Sequence, residues 1–89
     1  MAATVVNVGN TATLIAAANP SRISFIMTNI GTVDVYFGPD SSIVAAQCPI
    51  IVPNGSFEED SGGQQVYLGA YYGITSAGNS NVSYWERTR

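Results

Sequence analysis

Cys48 and the acidic run Glu58-Glu59-Asp60, with Asp40 upstream of both, are the residues that could do chemistry in this sequence. Each lacks the company that chemistry requires. The chain has no histidine, which removes the commonest general base and both the Ser-His and the Cys-His nucleophile arrangements. Cys48 stands beside Pro49 in an apolar run, and a useful thiolate needs a nearby cation or a helix end. The carboxylates could hold a hard cation through oxygen, but they lack the alternating ligands and central glycine of a calcium loop. We therefore read residues 58–60 as a solvated turn. No glycine-rich turn sits between a strand and a helix, so no phosphate cradle is expected. The expectation is a chain without catalytic residues, metal or cofactor.

The elements that would position such residues are short strands. Arg22 to Asn29 and Val33 to Gly38 are rich in β-branched and aromatic residues and flank Ile30-Gly31-Thr32. Their period of two places Ile23, Phe25, Met27, Val33, Val35 and Phe37 on buried faces, and the short link predicts an antiparallel hairpin. Asn19-Pro20-Ser21 breaks the chain before this pair, because Pro20 lacks an amide hydrogen and restricts its neighbour. Downstream, Gly38 to Ser42 reads as a loop and Cys48 to Val52 as an edge or bulged strand, since Pro49 cannot donate to a ladder. Pro53-Asn54-Gly55 reads as a turn and Ser61-Gly62-Gly63 as flexible loop. Gln65 to Ser76 reads as a strand region bent at Gly69 and Gly73, and Asn81 to Arg87 as a final strand with Val82, Tyr84 and Glu86 on one face. About seven to eight short strands with turn chemistry between them predict an all-β fold, a single small antiparallel β-sandwich or jelly-roll-like barrel.

Residues 1–19 form the least patterned part. Two apolar bursts surround Gly9-Asn10, which suits a hairpin turn, and β-branched residues favour strand. The segment is either a strand pair or an extended arm that orders against a partner, with residues 20–89 forming the sandwich. Val5, Val6, Val8, Leu14 and Ile15 are the candidate partner-interface residues, because a free tail would expose them to water.

Composition narrows the classes of partner. Charged residues make up 10% of the chain, against roughly 25% in an ordinary soluble domain, and Arg22, Arg87 and Arg89 carry all the side-chain positive charge. A net charge of −3 without a basic cluster argues against nucleic acid and against an anionic membrane surface. A single cysteine excludes an internal disulfide framework. No positively charged n-region precedes an apolar core, so synthesis in the cytoplasm is expected. So neutral an exterior predicts that much of it is covered by other subunits.

Several of these stretches together resemble a known module. Arg22-x-Ser-Phe-Ile-x-Thr-Asn29-x-Gly31, Val33-x-Val-Tyr36-x-Gly38, Pro49-x-x-x-Pro53-x-Gly55, Gly69-x-Tyr-Tyr72-Gly-Ile74 and the terminal Tyr84-Trp-Glu86 are similar to a compact β-sandwich of tailed-bacteriophage virion proteins. That module occurs in small capsid decoration (cement) proteins and in head-fibre or tail components. The likeness covers about residues 20 to 87 and departs from the pattern at Tyr71, where an aliphatic residue is expected. It implies no catalytic residues. It implies fold roles for Asn29, Gly31 and Gly55 and packed rings at Tyr36 and Tyr72. It also implies a place on the outside of a phage head, with the major capsid protein and other copies of the chain, as a dimer or trimer, for partners. The alternative within the resemblance is a head-fibre or tail module that binds a host receptor or glycan through its C-terminal aromatics.

Overall fold

A computed structural model describes residues 3–60 and 66–89. Its eight strands are β1 (Thr4–Val8), β2 (Thr13–Ala16), β3 (Arg22–Asn29), β4 (Val35–Gly38), β5 (Ile50–Ile51), β6 (Ser56–Asp60), β7 (Tyr71–Ile74) and β8 (Ser80–Thr88). Four antiparallel pairs nest inside one another along the chain: β4 with β5, β3 with β6, β2 with β7 and β1 with β8. Two further pairs, β3 with β8 and β4 with β7, join these into sheets. The result is one sheet of order β1-β8-β3-β6, here sheet A, and a second of order β2-β7-β4-β5, sheet B. A long hairpin, closed by β4 and β5 and folded over so that its successive strand pairs alternate between two layers, gives this order, which is that of an eight-stranded jelly roll.

The expected pairing of β3 with β4 is therefore corrected. The predicted inner face holds for Phe25, Met27, Val35 and Phe37, which are buried. At the start of β3 a register shift between Arg22 and Ser24 buries both of these, expected on the outer face, and leaves Ile23 only half-buried. Val33, also half-buried, precedes β4. The two strands belong to different sheets. The link at residues 30–34 carries the chain across the sandwich rather than back along its neighbour. Asn29 makes the crossing. Its Nδ2 donates to the carbonyls of Val33 and Ile51 at 2.7 and 2.8 Å, and its Oδ1 accepts from the Gly31 amide at 3.0 Å and the Ser80 hydroxyl at 2.6 Å. All four bonds an amide side chain can make are thus made, in a fully buried position. Gly31 is required here because a Cβ would lie 1.9 Å from Ser80 Oγ.

Residues 4–16 are likewise corrected. They are neither an arm outside the sandwich nor a hairpin with each other, for β1 lies on the edge of sheet A and β2 on the edge of sheet B. Val8 and Ile15 are in the core with Phe25, Met27, Val35, Phe37, Ile51, Tyr71 and Val82, and Val6 packs against it. A bulge between Leu14 and Ala16 turns both Ile15 and Ala16 inward. The burial of Val6, Val8 and Ile15 within their own chain meets part of the need that predicted a partner, while Val5 and Leu14 stay exposed.

Two further expectations change. Residues 58–60 belong to strand β6 and not to a turn. Val66 to Ala70 is not strand. Its carbonyls bond elsewhere, Leu68 accepting from the Asn19 amide and Tyr67 and Gly69 from the Arg22 side chain. The loop expected at Ser61-Gly62-Gly63, and the strand start expected at Gln65, lie outside the described residues. The turn at Pro53-Asn54-Gly55 is present, with Asn54 at φ 68° and the Gly55 amide bonded to the Val52 carbonyl at 2.7 Å.

Candidate functional site

The two motif residues at the ends of β3 are buried polar hubs. Arg22 is 1% exposed. Its Nε donates to Glu86 Oε1 at 2.7 Å, Nη1 to the carbonyls of Tyr67 and Gly69 at 2.8 and 2.9 Å, and Nη2 to that of Ala17 at 3.0 Å. Its guanidinium carbon also lies 5.0 Å from the Phe25 ring centre and 5.3 Å from that of Tyr71, within cation–π range. Asn19 completes the end by donating to Glu86 Oε2 at 3.2 Å. One planar fork thereby ties β3 to β8, to the residue following β2 and to the segment before β7, which a lysine's point charge could not do. No buried side-chain nitrogen or oxygen among the described residues lacks a partner, so this charged end reads as a cross-link rather than a reactive centre.

The acidic run is split by the strand it occupies. Glu58 opposes Ile26 on the outer face of sheet A, while Glu59 opposes Phe25 on the inner face and accepts the Tyr71 hydroxyl. Burial first, and then this bond to a carboxylate, push the Tyr71 phenol well above its usual value of 10.0. Asp40 is held apart in a local turn. Its Oδ1 accepts from the Ser42 hydroxyl and from the Ser42 amide, which lower its carboxyl below the ordinary range. Among the described residues no group of three or more His, Cys, Asp or Glu side chains is placed to hold a metal ion. Cys48 is a free, half-buried thiol.

The C-terminal aromatics do not share a face. Tyr71 stacks on Phe25 with ring centres 4.3 Å apart, and Tyr84 packs beside Phe25 at 5.6 Å. Trp85 points outward from sheet A opposite Ile26, and Tyr72 points outward from sheet B opposite Leu14. The rings the resemblance implies as packed, Tyr36 and Tyr72, are half-buried on that outer face, whereas Tyr71, the departure from the pattern, is the core ring. Tyr67 lies edge-on to Tyr71 at 5.3 Å. Both line a cleft of about 290 Å³ between the sheets, together with Phe37, Phe57, Pro39, Pro49 and Glu59.

One surface stands out by what it lacks. The strands of sheet B, Thr-Leu-Ile-Ala, Val-Tyr-Phe-Gly, Ile-Ile and Tyr-Tyr-Gly-Ile, contain no charged residue. Register sets Leu14 beside Tyr72, and Tyr36 between Ile74 and Ile50, all on the outward face. Leu14 and Ile50 are 45% and 46% exposed. From strand spacing and rise, this face measures about 19 Å by 13 Å, roughly 250 Å² in projection. Of the five residues expected at an interface, Leu14 belongs to this face. Val5 is exposed on the opposite side of the sandwich, at 56%, and Val6, Val8 and Ile15 face the core. The rest of the face, Tyr36, Ile50, Tyr72 and Ile74, escaped sequence reasoning because alternation cannot say which side of a strand will remain uncovered. Comparison with family models, with curated proteins and with solved structures finds no match to this chain.

Proposed function

We propose that this chain is a structural virion protein of a tailed phage, a capsid decoration protein that binds the outer surface of the head through sheet B and reinforces the shell without catalysis. The observation that carries the reading is the uncharged outer face formed by Leu14, Tyr36, Ile50, Tyr72 and Ile74. A jelly roll hosts unrelated functions, so the fold adds little by itself. At roughly 250 Å² this patch is no larger than the largest apolar patch of an ordinary monomer, which is often functional, and the absence of any charge on its four strands is what singles it out. The resemblance supplies the partner, the major capsid protein. Arg22 and Asn29, its two best-defined positions, serve as the buried hubs of β3.

The aromatic cleft beside Tyr67 and Pro49 favours a second reading, a head-fibre or tail module that takes a sugar or receptor segment there. Quantitative mass spectrometry of purified particles separates the two. A copy number comparable to that of the capsid subunits fits decoration, and a few copies per particle fit a fibre or tail. Added back to heads stripped of it, the protein should bind, and an Ile50→Asp, Leu14→Asp double variant should not. Undiminished binding by that variant would remove sheet B from the proposal.

A further inference from the structure

We propose that a second copy of this chain adds to the free edge of β1, antiparallel and across a two-fold axis perpendicular to sheet A. The dimer would then share one continuous eight-stranded sheet. An edge strand presents unpaired N–H and C=O groups, and proteins block such edges with bulges, prolines, short strands or charge. Three of the four edges here are blocked. β2 carries a bulge between Leu14 and Ala16, β5 is two residues long between Pro49 and Pro53, and β6 carries Glu58, Glu59 and Asp60 within five residues. β1 has none of these devices. Its five residues, Thr-Val-Val-Asn-Val, run in unbroken register with β8.

The choice of a second copy over another strand rests on charge and closure. No charged side chain precedes Arg22 in the sequence, so two β1–β2 edges meet without repulsion, whereas two β6 edges would set acids against acids. A pairing centred on Val6 sets Val5 opposite Asn7 of the partner subunit on the outer face, and neither is charged. It also uses both open edges at once, so every edge left on the dimer is a blocked one and assembly stops at two. Pairing β1 with β6 of another copy would instead leave an unused β1 at one end and an unused β6 at the other and propagate.

The same operation lays the two outward faces of sheet B in one plane. The apolar surface then reaches about 500 Å² in projection from the spacings used above, nearer the roughly 800 Å² per partner of a stable interface. The dimer itself does not rest on the virion reading; only this use of it does.

Sedimentation velocity of the free protein, from micromolar to near-millimolar concentration, tests the pairing. Wild type should move from the 9.3 kDa monomer to twice that mass and no further. Val5→Lys, whose side chain is exposed on the edge strand, should weaken dimerisation about tenfold or more while its thermal melt stays that of a folded domain. Glu58→Lys, on the opposite edge, should dimerise like wild type. A wild-type monomer throughout the range, a higher oligomer, or a Val5→Lys dimer of undiminished affinity would each overturn the proposal. So would loss of the dimer in Glu58→Lys alone.

Discussion

Sheets A and B share one core but divide the polar groups unequally. Within the strands, every charged residue belongs to sheet A: Arg22, Glu58, Glu59, Asp60, Glu86 and Arg87. On its outer face Asn7 donates to Asn81 at 2.9 Å, and the hydroxyls of Thr28 and Ser56 lie 2.8 Å apart, so neighbouring strands there are tied by side chains as well as backbone. The outer face of sheet B is apolar along the same directions. Side-chain hydrogen bonds have direction and add to the register that the buried apolar face already sets, whereas an uncovered apolar face adds little to it. Sheet A, with its hubs at Arg22 and Asn29, thus carries the directional ties between strands, and sheet B presents the uncharged surface proposed above for docking.

Removing a hub should cost most. Arg22→Met leaves three backbone carbonyls and Glu86 Oε1 without their donor. Breaking a fully buried ion pair from one side costs about 3–5 kcal/mol, and with the Glu86 side chain 24% exposed the loss should fall near the lower end of that range. Urea unfolding measures it, and a loss under about 1 kcal/mol would end the claim that this end of sheet A specifies the fold.

Tyr71 of sheet B hydrogen-bonds to Glu59 of sheet A, and its raised pKa makes that link sensitive to alkali. The unfolded phenol titrates near 10.0 and the folded one above it. Between the two values the folded state keeps a proton that the unfolded state has released, so this contribution is fully present below pH 10 and is lost as pH rises through the folded pKa. Urea melts from about pH 9 to about pH 11 should fall more steeply for wild type than for Tyr71→Phe. Equal slopes would mean the two sheets are not joined through this proton.

On the outer faces the effects shrink and diverge. Thr28→Val removes the bond to Ser56 on sheet A and should cost about 0.5–1 kcal/mol. Leu14→Ser and Ile50→Ser on sheet B should each change stability by about 0.5 kcal/mol or less, and under the proposed capsid function their effect should appear in binding to heads instead. If the sheet B changes destabilised the free domain more than Thr28→Val, the division between a specifying sheet and a docking sheet would be reversed.

Local patterning alone set the class of fold and the side on which most strand residues lie. Alternation is a local property, and it placed Phe25, Met27, Val35 and Phe37 inward without knowledge of any partner strand. Turn chemistry at Asn54 was legible for the same reason, since a positive φ is set by the residue and its immediate neighbours. Pairing was not legible. A strand with one buried face has the same period whether the next strand lies beside it or across the core, so β3 and β4 read as a hairpin although they lie in different sheets. Nor could spacing reveal that Arg22 would bond to carbonyls at 17, 67 and 69, or Asn29 to 33, 51 and 80. Those contacts, and with them which apolar strand faces were covered, came from the packing of the two sheets. Both depend on groups distant in sequence meeting at one place, which short-range patterning does not encode.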